Sequence, residues 1–456
     1  MNCFGIEVNV KNSPVLDKTF LPLAAFQKAF LQNAKKPLAV AVERNDGLTS
    51  VYDTFVTGEI GTFEADCYYI ERIVKFLLWA RGGFKVYICG DEKIAAHIAE
   101  QYSENGARAF DFYFMERVYE QPFCVASLPY EQCPKEKEQS NPVGRNLSGC
   151  RIGFDAGGSD RKVSAVIDGE SVFSEEVVWF PKTNADPDYH YNGIVTALKS
   201  AAEKMPRVDA IGVSSAGIYI NNRAMVASLF LKVPDELFDK KVKDIYIRAA
   251  KEIGDLPLNV VNDGDVTALA GAMELNDTNV LGIAMGTSEA GGFVDGSGNI
   301  TGWLNELAFA AVDAQADGAL DEWSGDKGCG VKYFSQDAVI KLAPAAGITL
   351  DENASPAEKL KTIQNLLADG HEGAGQIYES IGCYLGHTLA LYADFYDIKH
   401  VLLLGRVMSG KGGNIINSVA QQVLLDEYPN VANKLALHLP DEKSRRVGQS
   451  VAAASL

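Results

Sequence analysis

The stretch that decides the fold is residues 151–159, RIGFDAGGS, where an apolar run ends at an aspartate and a glycine-rich turn. Two further predicted strands follow at residues 162–167 and 171–179, separated by the turn Asp168-Gly169. Short apolar runs bounded by turn residues predict β-strands. The same plan returns where residues 279–285 (NVLGIAM) lead into the glycine-rich turn GTSEAGG at 286–292. The repeat predicts two α/β halves built alike.

The two glycine-rich turns predict phosphate binding. Glycine lets the backbone approach phosphate oxygens, adopt positive φ and present its N–H donors to an anion. Ordinary hairpins also use glycine, so one turn alone predicts little. Two such turns in one chain favour a nucleoside triphosphate bound between two domains. The predicted contacts are Gly157, Gly158, Ser159, Gly286, Thr287 and Gly291.

Asp155 ends the first apolar run and stands beside the first glycine turn. A carboxylate at the end of a buried strand next to a phosphate loop is well placed to order Mg²⁺ or its water ligands. Taken alone, an aspartate at this position is also explained as a turn-capping residue. We expect Asp155 to act on the metal, through water.

A third motif is residues 260–271, VVNDGDVTALAG. A strand at 258–261 delivers Asn262 and Asp263 to its tip, and a helix of small residues follows. Acidic groups at a strand end point into the crevice where α/β sheets bind ligands. A helix cap or a charge near the helix dipole explains one of the two acids, Asp263 and Asp265, but less easily both.

From about Gly149 to Leu456 the chain resembles the ROK family, which comprises repressors, open reading frames and sugar kinases within the actin-like ATPase superfold. The order and rough spacing of the matching segments agree with the family. These segments are 153–159 (GFDAGGS), 211–217 (IGVSSAG), Asn262-Asp263, Gly286-Thr287 with Gly291-Gly292, 384–386 (YLG) and 401–405 (VLLLG).

The resemblance implies an α/β fold of duplicated actin-like ATPase (ribonuclease H-like) domains, and an ATP- and Mg²⁺-dependent kinase acting on a hexose or related sugar. Asp263 matches the family's catalytic base, with Asp265 in reserve. Closure of the two halves around ATP would exclude water. The implied sugar-binding residues are Asn262, Ser215, Glu306 and Phe309, and the implied adenosine-site residues are Gly405 and Arg406.

Three departures from the family pattern stand out. Only Gly328-Cys329-Gly330 remains of the cysteine-rich zinc motif, so we expect no structural zinc. Phe309 stands where the family has a sugar-contacting histidine, and Arg406 replaces a glycine. Residues 405–412 (GRVMSGKG) nearly spell a P-loop but lack the Ser or Thr after the lysine. These departures leave the identity of the sugar open.

Residues 131–149 are polar, with prolines and glycines, and predict a linker. We expect an accessory α/β domain at 1–145, a first actin-like domain at 149–275 and a second at 276–456. Apolar spacing in the accessory domain predicts helices at 70–81 and 91–102 and strands at 85–89 and 108–114. Oligomerisation or cover for the active site is the expected role of this domain.

The chain has 456 residues, of which 47% are hydrophobic and 22% charged, as is typical of a folded protein of two or three domains. Its net charge of −18 disfavours nucleic acid and anionic membranes as partners. We see no signal peptide, no membrane-spanning run and no paired cysteine motif. We expect a cytoplasmic enzyme of carbohydrate metabolism, with a homodimer as a possible assembly.

Two other classes of protein compete with the kinase hypothesis. A ROK-type repressor needs a basic helix-turn-helix ahead of the kinase-like part, and residues 1–145 contain no basic recognition helix that we can identify. A non-catalytic sugar or nucleotide sensor or scaffold of the same fold is the stronger rival. The changes at Phe309 and Arg406 favour the sensor, whereas Asp155 and Asp263 favour the enzyme.

Overall fold

The computed structural model describes residues 1–139, 144–440 and 451–456. The chain divides into two compact units, each made of three segments. Unit 1 comprises Met1–Gln139, Ile283–Gly291 and Trp303–Leu439, and unit 2 comprises Ser140–Gly282, Gly292–Gly302 and Pro440–Leu456. The N-terminal region therefore shares a unit with the second glycine turn. The predicted division at 145, 149 and 275 stays a prediction.

The N-terminal region of unit 1 is a four-stranded sheet in the order β4-β3-β5-β6, with helices against it. Strand β3 runs antiparallel to β4 and β5, and β5 runs parallel to β6. The elements are β1 (Asn2–Cys3), β2 (Ile6–Glu7), α1 (Leu23–Leu31), β3 (Lys36–Glu43), β4 (Thr49–Val56), α2 (Phe63–Ala80), β5 (Lys85–Cys89), α3 (Glu92–Gln101), α4 (Ala109–Tyr119) and β6 (Cys124–Leu128).

Most of the predicted elements in this region are confirmed. The helices predicted at 70–81 and 91–102 correspond to α2 and α3, and the strand predicted at 85–89 is β5. The strand predicted at 108–114 is wrong, because these residues lie largely in α4. Aromatic residues favour strands in general, but Phe110 and Phe114 both pack on Trp79 with their own ring centroids 5.6 Å apart. A helix brings residues four apart this close, whereas a strand would separate them by roughly 13 Å.

Unit 2 contains a five-stranded sheet in the order β13-β10-β7-β8-β9. Strands β7, β8 and β9 form an antiparallel meander, and β10 and β13 are added in parallel beside β7. The elements are β7 (Cys150–Ala156), β8 (Asp160–Ile167), β9 (Glu170–Val178), α5 (Pro187–Ala202), β10 (Ala210–Ser215), β11 (Ile218–Ile220), β12 (Arg223–Val226), α6 (Asp235–Leu237), α7 (Ile245–Lys251), β13 (Leu258–Asn262) and α8 (Asp263–Leu275).

Strand β7 is the centre of the unit 2 core, which confirms the strand predicted at the decisive stretch. Ile152 and Phe154 are completely buried between the sheet and its helices. Arg151, which is also buried, donates from Nε to the Ala454 carbonyl and from an Nη to the Leu456 carbonyl. The C-terminal residues are therefore tied to the strand that carries Asp155.

Among the described residues, the remaining strands form a four-stranded sheet in the order β15-β14-β16-β17, accompanied by the helices α9 to α13. Strand β16 runs parallel to β17. Within the described part of the chain, no helix has both the length and the apolarity to cross a membrane. The elements are β14 (Val280–Met285), β15 (Glu289–Val294), α9 (Gln336–Leu342), α10 (Pro356–Ala368), α11 (Glu372–Ala393), β16 (His400–Leu404), α12 (Lys411–Glu427), α13 (Pro429–Ala432) and β17 (Ala436–His438).

Candidate functional site

Asp155 lies at the end of β7, where the parallel register places Ser214 of β10 directly beside it. The Ser214 hydroxyl donates to Asp155 Oδ1 at 2.8 Å. Burial raises the pKa of Asp155 to about 6, Ser214 opposes this rise, and the nearby Asp263 adds to it. A cation placed here would relieve the cost of holding the carboxylate away from water. The residues present therefore fit a magnesium ion bound directly or through water.

The first glycine turn joins β7 to β8 and is fastened by Trp179. The indole Nε1 donates to the Gly157 carbonyl at 2.8 Å, and the Trp179 N–H donates to the Ser159 carbonyl at 3.1 Å. Neither Gly157 nor Gly158 has a positive φ. Glycine is needed for room at Gly157, because a Cβ there would lie 2.8 Å from the backbone carbonyl oxygen of Asp160. Glycine in this turn is therefore explained by the close approach of neighbouring atoms and not by a positive φ.

Asp263 is the first residue of α8 and follows β13, the strand next to β10. Its side chain is half-buried, and its Oδ1 accepts the Gly264 N–H at 3.1 Å. Burial raises the pKa of Asp263, while the Gly264 N–H and the more distant Lys182 oppose the rise. The structure therefore brings Asp263 and Asp155 to the same edge of one sheet, each as a carboxyl with a raised pKa.

Asn262 caps α8, with both ends of its amide engaged by the chain. Its Oδ1 accepts the Gly264 N–H at 2.7 Å, and its Nδ2 donates to the Gly217 carbonyl at 2.8 Å. Asp265 is buried, and its Oδ1 accepts the Phe293 N–H at 3.1 Å. These contacts give Asp265 a structural role and favour Asp263 as the acid available to a ligand.

Ser215 ends β10 as predicted, but its side chain is fully buried. Its hydroxyl lies 2.8 Å from the Tyr246 hydroxyl and accepts from the Tyr219 hydroxyl at 2.7 Å. A direct contact of Ser215 with a sugar stays a prediction. The hydrogen bond that Ser215 accepts from Tyr219 favours a role in orienting the Tyr219 side chain. Tyr219 itself is close enough to Asp263 for the carboxylate charge to contribute to the raised pKa of the phenol, which is mainly due to burial.

In unit 1, the structure brings the second glycine turn next to the predicted adenosine-site residues. Gly405 follows β16 with a φ of 97°, and a Cβ there would overlap the carbonyl oxygen of Met285, the residue before Gly286. The Gly286 carbonyl accepts the Gln336 N–H at 2.9 Å. The Arg406 side chain is exposed. Gly286, Thr287, Gly405 and Arg406 stay predicted nucleotide contacts.

Glu306 and Gly291 lie where β15 meets the segment that contains the predicted sugar motif. A Cβ at Gly291 would lie 2.6 Å from the Asn305 carbonyl oxygen, so glycine lets this segment approach the strand. The Glu306 N–H donates to the Trp79 carbonyl at 2.9 Å, and its side chain is half-buried. The end of α2 therefore fixes the backbone of Glu306.

Phe309 is buried, with 7% of its surface exposed. Its ring lies in an aromatic cluster contributed mostly by the N-terminal region. The centroid distances are 4.3 Å to Trp79, 5.7 Å to Phe110, 5.9 Å to Trp323 and 6.4 Å to Phe114. The residue that replaces the family histidine thus anchors the N-terminal region, and its predicted contact with a sugar stays a prediction.

Two functional candidates escaped the sequence analysis. Lys182 lies beside the first glycine turn, and no local pattern connects residue 182 with that turn. Glu289 follows the second turn and is buried, with Oε1 accepting from the Tyr392 hydroxyl at 3.1 Å. Burial raises the pKa of Glu289 to about 8. The sequence signal that could have identified Glu289 is a charged residue at the start of the otherwise apolar strand β15.

Within residues 1–139, 144–440 and 451–456, no three metal-binding side chains come together as a candidate metal site. Cys329, the remnant of the family zinc motif, is buried, and burial raises the pKa of its thiol to about 12. The absence of structural zinc stays a prediction.

The fold and the site define the class of protein. The chain has a mixed α/β structure with the actin-like ATPase fold, in which glycine turns and strand-end acids lie at the edges of sheets. The sequence model of the ROK family matches residues 151–448. The chain belongs to the ROK family. The matched region leaves residues 1–150 outside it, in agreement with an extra N-terminal domain.

Solved structures of ROK proteins share the fold of this chain. A ROK family glucokinase from Streptomyces griseus, in complex with glucose and AMPPNP, aligns with a TM-score of 0.50 and 21% identity, over 67% of this chain and 98% of that chain. A ROK hexokinase from Thermus thermophilus aligns with a TM-score of 0.50 and 19% identity, over 66% and 97% of the two chains.

A ROK family transcriptional regulator, a homologue of the E. coli MLC protein, aligns with a TM-score of 0.51 and 18% identity, over 68% and 79% of the chains. No curated protein sequence matches the chain. At these identities the structural likeness establishes the fold, and the neighbours include both kinases and a regulator.

Proposed function

We propose that this protein is an ATP-dependent sugar kinase that phosphorylates a hydroxyl of a hexose or related sugar, with Asp263 as the general base. The observation that carries the proposal is the pair of strand-end carboxyls, Asp155 and Asp263, on one sheet edge beside the first glycine turn. The glucokinase with bound glucose and AMPPNP is a ROK protein of the same fold, which supports the same class of substrates here.

Asp263 would accept the proton of the attacking sugar hydroxyl. Burial raises its pKa, which makes the ionised carboxylate a stronger base than an exposed aspartate. The Gly264 N–H fixes Oδ1 and so orients the carboxylate. General-base catalysis of this kind contributes roughly 10²- to 10⁴-fold in rate.

Asp155 would hold Mg²⁺, directly or through water, close to the first glycine turn. When bound, Mg²⁺ neutralises charge on the phosphate oxygens. Gly157, Gly158 and Ser159 would supply backbone N–H donors to the phosphates, because the two glycines leave the backbone uncovered. Asn262 and Glu306 are proposed to bind further sugar hydroxyls, and such polar pairing rejects analogues that lack the hydroxyl.

The test is ADP release with ATP and Mg²⁺ across hexoses, amino sugars and N-acetyl sugars, comparing wild type with Asp263→Asn. We expect one sugar class to stimulate ADP release and the folded variant to lose roughly 10²- to 10⁴-fold of that rate. Asp188→Asn is the matched control, because Asp188 is an exposed residue of unit 2 paired with Lys241. Near-normal turnover of Asp263→Asn would exclude it as the base.

A non-catalytic sugar or nucleotide sensor of the same fold is the second candidate. Three observations favour it: Phe309 is buried, the Ser215 hydroxyl is engaged by two tyrosines, and both ends of the Asn262 amide are engaged by the chain. A wild-type protein that binds AMPPNP or a sugar but releases no sugar-dependent ADP would replace the kinase proposal with the sensor.

A further inference from the structure

The side chain of Lys182 lies beside the first glycine turn of unit 2. The residue belongs to a short 3₁₀ turn, Pro181–Thr183, that follows β9. A Cβ placed on Gly158 would lie 2.8 Å from Lys182 Cε and 3.1 Å from Nζ. The ammonium group is therefore next to the backbone that is proposed to bind phosphate.

The backbone that carries Lys182 is fastened on both sides. Trp179 is buried and hydrogen-bonds to the glycine turn through Gly157 and Ser159. Pro181 is buried, and its carbonyl oxygen lies 3.0 Å from Nε2 of the fully buried His190. These contacts hold Lys182 against the turn, so its placement does not depend on a free loop.

The Lys182 ammonium makes no hydrogen bond and no ion pair with any residue that the structure describes. Other exposed lysines of unit 2 do pair, such as Lys199 with Glu252 at 3.1 Å and Lys241 with Asp188 at 2.8 Å. Lys182 is also close enough to Asp263 to lower the pKa of that carboxyl. A cation beside the proposed phosphate-binding turn and near the proposed general base is suited to an anionic group bound there.

We propose that Lys182 contacts the γ-phosphoryl group of the bound nucleoside triphosphate and stabilises it during transfer. This inference rests on the proposed kinase function. The γ-phosphoryl group is the part of the triphosphate that must lie beside the hydroxyl activated by Asp263, and Lys182 lies beside Gly158 and near enough to Asp263 to lower its pKa.

In the transfer, the sugar oxygen forms a bond to the γ-phosphorus while the bond from that phosphorus to the β–γ bridging oxygen breaks. The bond's electron pair leaves with ADP, and the sugar hydroxyl proton passes to Asp263. Lys182 donates hydrogen bonds to the non-bridging γ-oxygens, where negative charge is spread in the transition state.

The experiment compares wild type, Lys182→Met and Lys182→Arg, with Lys199→Met as the matched surface control. Binding of AMPPNP and of ADP is measured by calorimetry, and sugar-dependent ADP release gives kcat. We expect Lys182→Met to weaken AMPPNP binding and lower kcat by about 10- to 100-fold each, because a charge-assisted hydrogen bond is lost. ADP binding should stay unchanged, since ADP has no γ-phosphate.

Lys182→Arg should recover part of both losses because it keeps the charge, and Lys199→Met should match wild type. If Lys182→Met folds, turns over and discriminates AMPPNP from ADP like wild type, the inference is wrong while the kinase proposal stands. An equal loss of AMPPNP and ADP binding would also overturn it, because that result places Lys182 on the inner phosphates. A wild type that neither binds AMPPNP nor releases ADP overturns both proposals.

Discussion

Unit 1 and unit 2 each hold carboxylates away from bulk solvent, and the two sets have different neighbours. In unit 1 the carboxylates alternate with cations in a group that we call the paired cluster. Its members are Glu71, Arg72, Lys75, Arg108, Asp111 and Asp326. In unit 2, Asp155 and Asp263 form what we call the open pair, which lies beside the first glycine turn.

Ion pairs account for the state of the paired cluster. Asp326 lies 2.7 Å from Arg108, 3.2 Å from Arg72 and 3.4 Å from Lys75. Burial by itself raises the pKa of Asp326, but these three cations lower it by more, so the carboxyl stays ionised. The cluster also joins α2 and α4 to the segment around residue 326, and its role is structural.

The open pair is less buried than the paired cluster, yet both of its carboxyls have a raised pKa. The difference lies in the counter-charge: burial is the main cause of both raised pKa values, and the cations Lys162, near Asp155, and Lys182, near Asp263, oppose the rise only in part. Burial with compensation stabilises a fold, whereas burial without compensation leaves a site that favours cationic ligands or proton transfer. Five measurements, including the loss of turnover in Asp263→Asn described above, test this contrast.

The largest stability effect should come from Asp326→Asn. The substitution leaves Arg72, Lys75 and Arg108 facing only Glu71 and Asp111, and breaking a buried ion-pair network costs about 3–5 kcal/mol. Urea unfolding should show this loss in free energy. The control, Asp188→Asn, removes an exposed pair and should cost about 0–1 kcal/mol. Equal, small losses would mean that the paired cluster does not hold unit 1 together.

Asp155→Asn should have the opposite effect on stability and should stabilise the protein at neutral pH. Because folding raises the pKa of Asp155 from 3.8 to about 6, the wild type loses stability as pH rises through this window and stays lower above it. The variant should therefore be more stable at pH 7, by about 1–3 kcal/mol, and equal at pH 3. The thermal midpoint measured at both pH values checks this expectation.

The response of the thermal midpoint to Mg²⁺ is a second way to compare wild type with Asp155→Asn. Added Mg²⁺ with ATP should raise the midpoint of wild type and not that of Asp155→Asn, because a ligand stabilises the state that binds it. A variant that is less stable than wild type at pH 7 would show that Asp155 is compensated after all, and a variant that still responds to Mg²⁺ would show that Asp155 does not hold the metal.

The smallest expected difference, taken over the single pH unit from 6 to 7, concerns Glu289, a buried acid of unit 1 outside the paired cluster. Burial raises its pKa from 4.5 to about 8, so wild type should lose about 1.4 kcal/mol per pH unit between these values, relative to Glu289→Gln. Unfolding free energies at pH 6 and pH 7 measure the slope. Glu379→Gln, an exposed change on α11, should keep the wild-type slope. A slope that survives Glu289→Gln must come from another group.

The sequence predicted the parts of the molecule that depend on local pattern. The strand-and-glycine pattern at 151–159 led to β7 and its turn, and the Asn262-Asp263 pair led to the start of α8. Apolar periodicity led to α2, α3 and β5. These features rest on spacings of two to four residues, which a single stretch of chain displays directly.

Local pattern misled where packing competes with propensity. The aromatic stretch at 108–114 predicted a strand, but these residues lie largely in the helix α4, where Phe114 packs against Trp79. The packing of Phe309 against the N-terminal region was not visible in any local pattern, and its contact with a sugar stays a prediction. Both outcomes depend on a partner that is far away in sequence.

By itself, the sequence determined the fold class, the family and the acids at the ends of strands, because these follow from short-range patterns. The tertiary structure alone decided which buried carboxylates form ion pairs with cations and which do not. Asp326 meets Arg72 across more than 250 positions, and Lys182 meets the glycine turn after an intervening hairpin. Electrostatic compensation depends on distances in space, and those distances exist only once the chain has folded.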